Sequence, residues 1–259
     1  MPAGDAHGRF TARLLERLGE DPTVLGLVLL GSTSGDGTPP DAWSDHDFFV
    51  VVGRGAQERF RSDLGWMPDP AAIAFSFRET AHGLKVVYEN GHLAEFAVFE
   101  PDELQLARVN RYRVVLDRAD VAARMERVRT ATVGAPRIDR TWEAGQFLTN
   151  LLVGVGRWRR GERRSGDQLV RCGALGHLLR LVAAGVPPED PAAPDDLDPF
   201  RRFERGWPGI AREVEQALSL PTPEAAERLL ATAEIVLAGG PGLPPAAVAA
   251  TRRVILRGR

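Results

Sequence analysis

Strand signals crowd into the first half of this chain and stop near residue 116; from about Thr141 onward every periodic segment is helical. That segregation predicts an α+β domain over residues 1–135 followed by an all-α helical bundle over 136–259, with the boundary near Ala135-Pro136. In the first part, Phe10, Leu14, Leu15 and Leu18 recur at helical spacing up to Gly19, giving an amphipathic helix over about 6–18. Val24–Leu30 is a continuous apolar run too short for a typical helix and closed by Gly31, as in a buried strand. Phe48–Val52 reads as a second strand, a short helix follows around Gln57–Leu64, and Ala71–Phe77 is a weaker third strand. Val86–Tyr88 and Leu93–Phe99 flank Asn90-Gly91, the pair a type I′ hairpin prefers, and Tyr112–Leu116 is the last strand expected. The bundle helices are expected over Trp142–Arg160, Gln168–Ala184, Gly209–Leu218, Pro223–Leu237 and Pro245–Leu256, separated by short Pro/Gly loops.

Composition narrows the class. With 259 residues, 44% of them hydrophobic, the chain fills real cores and is not disordered. Lys+Arg 33 against Asp+Glu 35 leaves a formal charge of -2, so there is no global positive field for nucleic acid or anionic membrane. The first ten residues lack a leader-like apolar core, and the longest strongly apolar run is far too short to span a bilayer. The single cysteine, Cys172, excludes an intramolecular disulfide framework and a cysteine-based zinc site and fits a reducing compartment, so a soluble cytoplasmic protein is expected. Lys85 is the only lysine among the basic residues, a bias read as genome composition rather than function.

The informative stretch is Gly31-Ser32, a loop from Thr33 to Ser44, then Asp45-His46-Asp47 leading into the apolar strand Phe48–Val52. Alternation in a strand puts Asp45 and Asp47 on one face and His46 on the other. Two carboxylates in one small volume repel unless a hard divalent cation lies between them, and magnesium is the natural candidate. Gly31-Ser32 offers a backbone that can be approached closely, with amide and hydroxyl donors of the kind phosphate oxygens require. Glu95 sits in an apolar strand where a charge has no packing purpose; beside the Asp45/Asp47 strand it would complete a three-carboxylate site. His46, without a second ligand at metal spacing, reads as a half-buried strand histidine, and Cys172, Trp142 and Trp158 read as packing residues, with substrate stacking as the other role open to the tryptophans.

Gly-Ser, a loop of about this length, Asp-x-Asp on a strand and a third acid on a later strand together resemble the polymerase-beta-like nucleotidyltransferase superfamily, and within it the small aminoglycoside and lincosamide nucleotidyltransferases. The resemblance covers about residues 24–117; Arg160-Gly161-Glu162 further resembles an Arg-Gly-Glu stretch of that branch. It implies a small mixed-sheet domain followed by a helical bundle. It further implies that Asp45 and Asp47 bind magnesium, that Gly31, Ser32 and Arg160 hold ATP or another nucleoside triphosphate, and that Glu95 is third ligand or general base. The implied reaction moves a nucleoside monophosphate, most simply AMP, onto a hydroxyl of a small polar molecule, in a monomer or homodimer that binds neither nucleic acid nor membrane. The sequence departs from the pattern in having Glu rather than Asp as third acid and a long, proline-containing loop. The alternatives are an antitoxin-like enzyme that adenylylates a protein, and a nucleotide-binding module without turnover. The sequence carries no Walker phosphate loop and no strand-placed Gly-x-Gly-x-x-Gly, which disfavours P-loop and dinucleotide enzymes.

Overall fold

The computed structural model describes residues 3–35, 39–133, 138–195, 197–238 and 242–257. The chain divides into two compact units, Met1–Ala135 and Pro136–Arg259. Gly37, the pair Ala135-Pro136 and Asp196 lie outside the described residues. The fold is α+β, a mixed sheet followed by a helical region.

In the first unit, helix α1 (Ala3–Gly19) precedes strands β1 (Val24–Leu30) and β2 (His46–Val52), helix α2 (Gln57–Ser62), strands β3 (Ile73–Arg78), β4 (Gly83–Tyr88), β5 (Leu93–Phe99) and β6 (Tyr112–Asp117), and helix α3 (Val121–Val133). The described residues form a six-stranded sheet in the order β3-β4-β5-β2-β1-β6. Every pairing is antiparallel except β2 with β5. Helix α1 buries Phe10, Leu14 and Leu18, spaced one turn apart, against the sheet face made by Leu27, Leu29, Phe48, Val50 and Phe96. The opposite face carries Val28, Val51 and Phe99 and is covered by Val121, Met125 and Val128 of α3, a helix the sequence patterning did not single out. Each side chain of β2 is therefore assigned to one of two different layers.

The β4–β5 hairpin stands where expected, but its turn differs. Of Asn90 and Gly91 only Gly91 has a positive φ, 82°. The Gly91 N–H donates to the Tyr88 carbonyl and the Tyr88 N–H to that of His92, so the loop has three residues and closes on a left-handed glycine rather than on a type I′ pair.

The second unit comprises α4 (Arg140–Arg159), α5 (Arg163–Gln168), a π-helical turn (Leu169–Ala174), α6 (Leu175–Gly185), α7 (Phe203–Gly206), α8 (Pro208–Leu218), α9 (Thr222–Val236) and α10 (Pro245–Leu256). The helix expected over Gln168–Ala184 is present, widened to a π-helical turn over Leu169–Ala174 and extended backwards by α5. A close crossing explains the irregularity: a Cβ on Gly154 of α4 would fall 2.6 Å from Val170, so the backbones meet where no side chain fits. Glu143, buried on α4, binds Arg180 Nε at 3.0 Å and His177 Nδ1 at 2.6 Å, tying α4 to α6. Two packing assignments are corrected here. Trp142 is 54% exposed, and Cys172, in the π-helical turn, is exposed as well. Trp158 is half-buried beneath the Arg163 guanidinium. No helix among the described residues is long and apolar enough to cross a membrane.

Candidate active site

The site begins where β1 ends. Leu30 gives way to a single 3-10 turn, Gly31–Ser34, pinned by Thr33 Oγ1 on the Leu30 carbonyl at 2.8 Å and Ser34 Oγ on that of Gly31 at 2.7 Å. Gly31 has φ +54°, and a Cβ there would stand 3.2 Å from Asp47 Oδ2. A side chain would cost backbone strain and crowd the carboxylate, so glycine is what lets the turn close over Asp47.

Asp47 in turn pairs with Glu95, its Cα partner on the parallel strand β5, and Glu95 pairs with Lys85 on β4. Partners across a ladder point to the same face, so Asp47, Glu95 and Lys85 form one row across three strands. The row is ionic: Lys85 Nζ lies 3.2 Å from Glu95 Oε1 and 3.0 Å from Glu79 Oε1. These bonds, that to Glu79 first and that to Glu95 second, hold the ammonium above the usual lysine range. Sequence reading gave Lys85 no role, although the only lysine of the chain stands directly before the hairpin's apolar run Val86–Tyr88.

The other expected members are not ladder partners in this row. Asp45 stands one residue before the start of β2, and its charge bears on His92. Ser32 lines a cavity of about 400 Å³ with Thr11, Leu15, Thr33 and Arg113, on the α1 side of the sheet. Arg113, on β6, reaches the Thr33 carbonyl at 3.4 Å and is a cation beside the Gly-Ser turn that sequence reading did not identify. Arg160 belongs to the second unit, where it binds Glu162 at 3.0 Å. Its neighbours are also committed locally: Arg159 caps α10 through the Val254 and Ile255 carbonyls, and Arg157 binds Ser165.

Among the described residues no group of three His, Cys, Asp or Glu side chains converges as a metal site. The three expected carboxylates are not gathered as one metal group among the described residues, and Glu95 faces Lys85 at 3.2 Å. The donor set nevertheless fits magnesium in its usual form, an ion that arrives on a nucleotide and takes only one or two carboxylates from the protein.

His46 is fully buried rather than half-buried. Its Nε2 shares a hydrogen bond with Thr11 Oγ1 at 2.9 Å, Nδ1 has no partner among the described residues, and the rings of His7 and His92 each lie 5.5 Å away. Burial first, then His92 and His7, bring its pKa down to about 3, and burial chiefly lowers that of His92 as well. The unfolded chain therefore takes up a proton on His46 below its ordinary pKa of 6.5 while the folded one refuses it until about pH 3. Stability from this group is whole above that range and drains as pH falls, by about 1.4 kcal/mol per pH unit inside the window. Relative to His46→Leu, the wild type should lose about 2 kcal/mol of unfolding free energy between pH 6.5 and pH 5 in urea titrations. Parallel pH curves for the two proteins would show that His46 does not carry the effect.

No protein-family model matches the chain, and no curated protein does. Among solved structures, an aminoglycoside 6-adenyltransferase from Bacillus subtilis is similar over 96% of this chain and 98% of its own, with a TM-score of 0.36 and 11% sequence identity.

Proposed function

We propose that the first unit transfers a nucleoside monophosphate from a nucleoside triphosphate, most simply AMP from ATP, to a hydroxyl of a small polar acceptor. The observation that carries this reading is the row in which Gly31 closes on Asp47 and Asp47 pairs with Glu95. It supplies in one place a turn able to approach phosphate, an anionic ligand and a carboxylate able to take a proton. Gly31 and Ser32 would face the triphosphate with backbone amides and a hydroxyl, with Arg113 as the adjacent cation. Asp45 and Asp47 would hold a magnesium ion, which when bound neutralises charge developing on the transferring phosphoryl group. Glu95 would remove the proton from the acceptor hydroxyl; the oxygen then bonds to the α-phosphorus, the bond from α-phosphorus to the bridging oxygen breaks, and pyrophosphate leaves with that electron pair.

The sequence resemblance makes aminoglycosides and lincosamides the first acceptors to test. A panel of these and other hydroxylated metabolites, each incubated with magnesium and ATP, GTP, CTP or UTP, should yield acceptor-dependent pyrophosphate. Nucleotide binding with no pyrophosphate from any member would favour a binding module, and absence of both would remove the reading.

A further inference from the structure

The ammonium of Lys85 has three N–H donors, and Glu79 and Glu95 each face one. Glu79 is itself fixed, because the N–H groups of Glu79 and Thr80 both reach the Gly83 carbonyl, at 2.9 and 3.3 Å, and close the β3–β4 hairpin on it. The lysine therefore spans from an anchored acid at the hairpin end to Glu95 in the middle of the sheet. Its engagement with two carboxylates makes it a poor phosphate ligand, and its permanent charge rules it out as a proton acceptor. A divalent ion drawn onto Glu95 would also meet this cation at close range, so the neighbourhood of Glu95 disfavours metal.

We propose that Lys85 is the positioning residue of Glu95: by holding Oε1 it fixes the carboxylate's orientation, leaves Oε2 for the acceptor's proton, and assigns Glu95 to the acceptor rather than to the metal. This rests on the nucleotidyl-transfer reading. In the transfer step the proton passes from the acceptor hydroxyl to Glu95 Oε2 as the new oxygen–phosphorus bond forms and pyrophosphate departs. Lys85 gains and loses no proton.

A double-mutant cycle on the full chain tests this, read by kcat for transfer and, separately, by calorimetric binding of magnesium with a nonhydrolysable ATP analogue. Lys85→Met should lower kcat about 10–10²-fold, as loss of an orienting partner does elsewhere, with nucleotide affinity kept within about threefold of the wild type. Lys85→Arg should restore most of the rate, and Glu79→Gln, which loosens the anchor while sparing the lysine, should lower kcat by a smaller factor. If Lys85 acts only through Glu95, the variant carrying Lys85→Met and Glu95→Gln should be no slower than Glu95→Gln alone. Losses that multiply in the double variant, or a Lys85→Met that binds nucleotide as poorly as Asp47→Asn, would overturn the assignment. A wild-type protein that binds no nucleotide fails earlier, in the calorimetric arm, and removes the transfer reading and this proposal together.

Discussion

Asp47→Asn is expected to lower nucleotidyl transfer by about 10³-fold or more while leaving the first unit folded. The substitution conserves shape at a half-buried position, so the Gly31 turn can still close over the side chain. What it removes is the anionic charge, and a neutral amide oxygen is a weak ligand for magnesium. The loss should appear in both turnover and the affinity for magnesium-nucleotide. Without metal, the variant should melt within a few degrees of the wild type, because removing the charge relieves its repulsion with Glu95 on the neighbouring strand. Adding magnesium with a nonhydrolysable ATP analogue should then raise the wild-type Tm and leave that of the variant nearly unmoved. Near-normal pyrophosphate release, or a large drop in metal-free Tm, would turn Asp47 into an ordinary structural cap.

Glu95→Gln is expected to behave differently although it removes the same charge one strand away. Magnesium-nucleotide affinity should stay close to that of the wild type while kcat falls by about 10²–10⁴-fold, the usual worth of a general base. The lysine keeps its bond to Glu79, and a partly exposed ion pair contributes little to stability, so the cost to folding should stay under about 1 kcal/mol. A fall in nucleotide affinity matching that of Asp47→Asn would make Glu95 a metal ligand instead.

The contrast between these carboxylates also marks what a sequence can carry. The strands, the hairpin and the shift from sheet to helices were legible because each leaves a local trace: apolar runs ending in glycine, alternation, or a 3.6-residue period. Gly31, Asp47 and Glu95 were legible for a related reason, since charge or glycine is out of place in buried strands. Lys85, Arg113 and the exposure of Trp142 were not, because each depends on what another strand or helix brings alongside. The pairing of Lys85 with Glu95 is a matter of register between strands, and register is set by the hairpin turn, whose type differed from expectation.

The one parallel pairing among the described residues, β2 with β5, bears on how the protein is made as well as on what it does. A hairpin can zip from its turn, but parallel neighbours have no such short route and must close a long loop of chain before they gain any contact. Here that loop contains α2, both strands of the β3–β4 hairpin and the β4–β5 turn. Emerging from a ribosome, the chain presents Asp47 well before Glu95, and the two meet only once β5 has been released and has docked in the centre of the sheet. The pair of acids thus forms by a long-range closure of the kind that slows folding, and β6, which joins β1 from further along the chain, emerges later still. Chains ending before β5 hold the Gly-Ser turn and Asp47 but not Glu95, so whatever chemistry the row performs waits on the docking of β5.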